Sequence, residues 1–102
     1  MSALAFRRSE PFTLGVELEL QIVNRRDFDL CGGAPDLLPL IEKQSHTGEV
    51  KPEITQSMLE VATSVHRTHA ELLAELHALR ELVVHQAERL NLGIAEIGRA
   101  HV

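Results

Sequence analysis

The chain has 102 residues, room for one small domain, and 15 acidic against 10 basic residues leave a formal charge of −5. That balance argues against a nucleic-acid partner, which selects a basic stripe. With three Phe and no Trp or Tyr, no aromatic hot-spot cluster or base-stacking platform is visible, and no apolar run reaches the length that spans a membrane, so a cytoplasmic protein without membrane contact is expected.

Residues 1–11 read as a loose leader without the apolar core of a signal peptide. Residues 13–23 read as a strand that alternates strictly from Leu14 to Ile22. Leu14, Val16, Leu18, Leu20 and Ile22 fall on one side, Gly15, Glu17, Glu19 and Gln21 on the other. Period two marks a β-strand with one buried face. Its second face then carries two carboxylates about 6–7 Å apart at strand rise. Folding gains nothing from that repulsion, whereas a hard divalent cation such as Mg²⁺ would turn it into attraction. Gly15 leaves room on the same face for close approach by a ligand.

Asn24, Arg25, Arg26 and Asp27 form a polar turn, and residues 31–35 a loop around Cys31, the one cysteine. It cannot form an internal disulfide and has no activating base beside it in sequence, so it reads as a free thiol in a reducing compartment. Asp36 is placed to cap a short helix over residues 37–44, with Leu37, Leu40 and Ile41 on one face. Residues 45–49 form a second loop.

Alternation returns at residues 58–65. Leu59, Val61, Thr63 and Val65 take one face, Met58, Glu60, Ala62 and Ser64 the other, and the β-branched residues favour a strand over a helix. If this strand neighbours the first, Glu60 joins Glu17 and Glu19. Glu53 reaches the same place only if the chain breaks around Thr55, Gln56 and Ser57; its other reading is a surface ion pair with Lys51.

The clearest helix is residues 68–91. Thr68 and Glu71 fit a capping box, and Leu72, Leu76, Leu79, Val83 and Leu90 form an apolar stripe widened by Leu73 and Leu82. Glu75, Arg80, Glu81, Glu88 and Arg89 are assigned to the opposite, charged face, and Asn91 and Gly93 supply the stop. The helix is expected to cover the apolar face of the sheet. Residues 92–95 begin another buried strand. Residues 96–102 break the apolar pattern and resemble the translation of a sequencing adapter; they read as a non-native tail.

Other site chemistries find little support. His69, His77 and His85 recur every eight residues, a drift of about 80° per step that keeps them from one metal. The histidines therefore read as solvated surface groups. No zinc helix motif, Walker A loop or glycine-rich dinucleotide loop is present.

Two segments together carry a family resemblance: Phe12-Thr13-Leu14-Gly15-Val16-Glu17-Leu18-Glu19-Leu20-Gln21-Ile22-Val23, and Lys51-Pro52-Glu53-Ile54-Thr55-Gln56-Ser57-Met58-Leu59-Glu60-Val61-Ala62-Thr63. Over residues 12–95 the chain resembles the N-terminal part of the type 2 glutamate–cysteine ligases, also called carboxylate–amine ligases. The resemblance implies an α+β fold, part of a glutamine-synthetase-like catalytic domain with an antiparallel sheet and helices packed on one face, here truncated. It implies ATP as co-substrate, Mg²⁺, and as small-molecule substrates glutamate with cysteine or another amine. Glu17, Glu19 and Glu60 match the metal-binding acids of that pattern, and Glu53 an additional site acid. The family's downstream Gly-Thr-His-Pro element is missing after residue 95, so the fragment is expected to be inactive alone. A homodimer is expected of the full-length protein. The competing reading is a non-catalytic interaction module built on the amphipathic helix of residues 68–91.

Overall fold

The computed structural model describes residues 4–7 and 13–96. Its elements are β1 (Leu4–Arg7), β2 (Gly15–Asn24), α1 (Ala34–Glu42), β3 (Glu49–Pro52), β4 (Met58–Ala62), α2 (His69–Arg89) and β5 (Leu92–Glu96). The described strands form one antiparallel sheet in the order β1-β2-β4-β3, with β5 also paired to β2. The long β2 is its spine. On one edge β4 pairs with residues 17–21 of β2. β1 pairs with residues 15–18 and β5 with residues 20–24. A strand has only two hydrogen-bonding edges, so β1 and β5 share the other edge end to end.

The alternation in sequence becomes the division between the sheet's faces. Val16, Leu18, Leu20 and Ile22 of β2 and Leu59 and Val61 of β4 are fully buried. They form one cluster with Leu37 and Ile41 of α1 and Leu72, Leu76, Leu79, Val83 and Ala87 of α2. Both helices therefore cover the same face, and each such large side chain contributes about 1.5–3 kcal/mol of burial. The fold is α+β, with an antiparallel sheet and helices on one side.

Local signals explain the boundaries of α2. Thr68 is extended, and its hydroxyl accepts from the Glu71 amide at 3.2 Å. The carboxylate of Glu71 lies 3.7 Å from Nδ1 of His66, across the strand–helix junction. Asn91 ends the helix in the left-handed region at φ 58. Gly93 is instead a strand residue, opposite Val23.

Several sequence-based expectations need correction. Leu4–Arg7, inside the expected loose leader, is a strand on β2. Helix α1 begins at Ala34 with Gly33 as its cap, and Asp36 sits in the first turn, where its charge favours the helix dipole without capping. β3 was unforeseen because only Val50 of its residues is partly buried; it is a short edge strand whose Glu49, Lys51 and Pro52 discourage further pairing. Strand β4 stops at Ala62, and Val65 is half exposed. Leu73 of α2 faces outward rather than widening the stripe. Strand β5 runs through Glu96, opposite Leu20, and Glu96 forms an ion pair with Arg80 of α2. The rest of the expected non-native tail lies outside the described residues.

Candidate metal centre

The β2–β4 register decides what the acids can do. Glu19 is the direct cross-strand partner of Glu60, and Glu17 faces Ala62. Glu17, Glu19 and Glu60 therefore share the face turned away from the helices, each partly buried. Like charges directly opposite on antiparallel strands oppose folding.

The chain bends at residues 54–57 between β3 and β4, the break that Glu53 required. The side chain of Glu53 hydrogen-bonds that of Glu60. Lys51 does not pair with Glu53; its Nζ lies 2.9 Å from Glu49, and in register it faces Glu60. The acid face thus gathers Glu17, Glu19, Glu53 and Glu60, with Lys51 at its margin.

Glu60 shows what this crowding costs. Burial, the hydrogen bond with Glu53, and the charges of Glu17 and Glu53 hold its carboxyl above the ordinary value, against an opposing pull from Lys51. A hydrogen bond between two carboxyls holds only while one of them is protonated, and a cation could take the place of that proton. The donors are all carboxylate oxygens, which suit Mg²⁺. Among the described residues, no three His, Cys, Asp or Glu side chains already converge as a ready ligand set. The donor chemistry and the shared face fit a hard cation.

A cavity of about 310 Å³ lies where β3 meets the end of β4, lined by Gly48, Glu49, Lys51, Ala62, Thr63 and Ser64. Gly48 stands at φ 72, and a Cβ there would come within 2.7 Å of the Ala62 carbonyl oxygen. Only glycine allows this loop to approach β4 so closely.

The ladder between β2 and β4 changes count beside this cavity. The Thr63 amide donates to Val16 O at 2.9 Å, whereas Leu14 pairs with His66. Gly15 therefore faces both Ser64 and Val65, a β-bulge. Side chains complete its hydrogen bonds. The Val16 amide donates to the Thr63 hydroxyl at 2.9 Å. Glu75 of α2 accepts from the Ser64 amide at 2.5 Å, from the Ser64 hydroxyl at 3.0 Å and pairs with Nε2 of His66 at 3.0 Å.

Sequence reasoning missed Glu75. It is buried rather than part of the charged face, and His66 is partly buried against it rather than solvated. Burial alone would raise the Glu75 carboxyl, but hydrogen bonds from Thr47, His66 and the amide and hydroxyl of Ser64 outweigh it and hold the group below its ordinary value. A signal was available: Glu75 is three residues after Leu72 and four before Leu79, on the flank of the apolar stripe. Cys31 is partly buried and packs against the core.

Residues 13–100 match the family described as "Glutamate-cysteine ligase family 2". Over 98 residues the chain is 58% identical to proteins named "Putative glutamate--cysteine ligase 2" from Janthinobacterium sp. (strain Marseille) and Herminiimonas arsenicoxydans. It is 52% identical to a protein of the same name from Chromobacterium violaceum. Each alignment covers 96% of this chain and 26% of the relative, so the chain spans about a quarter of the length of these curated relatives.

Proposed function

The chain belongs to the glutamate–cysteine ligase family 2, and from that premise we propose that it forms the acid-bearing part of an ATP-dependent carboxylate–amine ligase. The observation that carries the reading is the register that sets Glu19 opposite Glu60 with Glu17 on the same face. In this reading the three carboxylates hold Mg²⁺, and Glu53 is a further acid of the same site. Bound there, Mg²⁺ supplies charge neutralisation for phosphoryl transfer between ATP and a carboxylate. The protein's own part is placement: a rigid sheet holds the acids in a fixed row, so little reorganisation is needed as charge develops.

The substrates that follow from the reading are glutamate, activated at its γ-carboxylate as an acyl phosphate, and an amine such as that of cysteine, which then displaces phosphate. The cavity beside Lys51 and Ser64 adjoins the acid face and is the natural way in for one of them. The reading places the protein in the cytoplasm, and no helix among the described residues is long and apolar enough to cross a membrane. It also carries a homodimer for the full-length protein and no activity for this segment alone, which spans about a quarter of the relatives' length. A free docking helix is disfavoured: the stripe of α2 is buried on the sheet.

The test is phosphate release by a full-length protein carrying this segment, supplied with Mg·ATP, glutamate and cysteine. Glu19→Gln is expected to lower turnover at least a hundredfold while the circular dichroism spectrum is kept. Unchanged turnover in a folded variant would refute the assignment of Glu19.

A further inference from the structure

The bulge between β2 and β4 sits next to the acid row, and the side chains that complete it come from outside the sheet. A bulge leaves one backbone group without its ladder partner and bends the strand. Here the amide concerned is that of Ser64, and Glu75 supplies the acceptor at 2.5 Å. The same carboxylate takes the Ser64 hydroxyl and pairs with His66, the residue that resumes pairing with Leu14. It is also bonded by Thr47, beside the loop that leads into β3. One buried side chain on α2 thus ties together the end of β4, the start of β3 and the helix.

Register is what makes this matter for the site. Side chains alternate with period two, so a slip of one residue would send Glu60 to the helix face and Leu59 to the acid face. Bulges pin register. We infer that Glu75 is a positioning residue for the acid face: by closing the bulge at residues 63–66 it fixes the β2–β4 register that sets Glu60 opposite Glu19. Glu75 touches neither metal nor substrate; it acts through Ser64 and His66. The inference rests on the metal-centre reading proposed above.

Manganese titration of the full-length protein carrying this segment, read from the electron paramagnetic resonance signal of free Mn²⁺, tests it. Glu75→Gln is expected to weaken Mn²⁺ binding about tenfold, in the range found when groups that orient metal ligands are removed. Ser64→Ala, which loses the hydroxyl but keeps the amide bond, is expected to weaken it by a smaller factor and carries the test if Glu75→Gln does not fold. Thr68→Ala serves as the control, because it destabilises the same helix without touching the bulge. Weakened binding in the Glu75 or Ser64 variants, with binding retained in Thr68→Ala, supports the inference. Wild-type affinity in folded Glu75→Gln, or equal weakening in Thr68→Ala, overturns it while leaving the metal centre standing. Failure of the wild-type protein to bind Mn²⁺ overturns the metal centre itself, and the inference with it.

Discussion

Glu60 holds its proton more tightly in the fold than in an unfolded chain, through partial burial, its hydrogen bond to Glu53 and the nearby charge of Glu17. The linkage has a definite sign. A raised carboxyl value favours the fold below the ordinary 4.5, and that contribution is lost as pH rises through the raised value. At neutral pH without divalent ions Glu60 therefore opposes folding. Glu60→Gln is expected to raise the melting temperature in EDTA at pH 7, while added Mg²⁺ should stabilise the wild type and leave the variant unmoved. A variant that melts lower in EDTA would contradict this balance. Gly48 gives a second residue-scale prediction. At φ 72, a Cβ on this residue would stand 2.7 Å from the Ala62 carbonyl oxygen, so Gly48→Ala should cost about 1–3 kcal/mol in chemical denaturation. The acids of β2 and β4 were legible because period two assigns each to a face without knowledge of neighbours. Glu75 was not, because its partners Ser64, His66 and Thr47 come from segments that only the tertiary structure brings beside the helix.

At the scale of elements, legibility followed the strength of the local pattern. β2 and α2 have unbroken periodicity, and both lie close to their expected bounds. β3 has a single half-buried side chain and is held by its pairing with β4, so its order comes from a neighbour rather than from its own sequence. β1 likewise exists by pairing with β2. The start of α1 moved because Gly33 and Pro35 favour an earlier turn than Asp36 indicated. The N-terminus of α2 offers the direct test of local coding. Thr68→Ala removes the acceptor for the Glu71 amide and should cost about 1 kcal/mol in denaturant titration; no loss would mean that tertiary packing alone sets this helix end.

Across the whole molecule, the sheet divides two tasks between its faces. One face buries the aliphatic side chains of β2 and β4 under both helices, and that burial supplies the stability. The other gathers carboxylates whose mutual repulsion the fold tolerates, a repulsion that the proposed cation would relieve. The pairing of the two acid-bearing strands followed from sequence only as a condition, because alternation assigns faces but not neighbours; the register then met that condition residue for residue. The measurement that bears most directly on the acid row is the anomalous diffraction map of the full-length protein crystallised with Mn²⁺ and a non-hydrolysable ATP analogue. A cation-binding role predicts a manganese peak in contact with the carboxylates of Glu17, Glu19 and Glu60, at about the 2.0–2.2 Å of hard-cation oxygen ligation. A map in which manganese and nucleotide sit elsewhere, with these carboxylates uncoordinated, would contradict it.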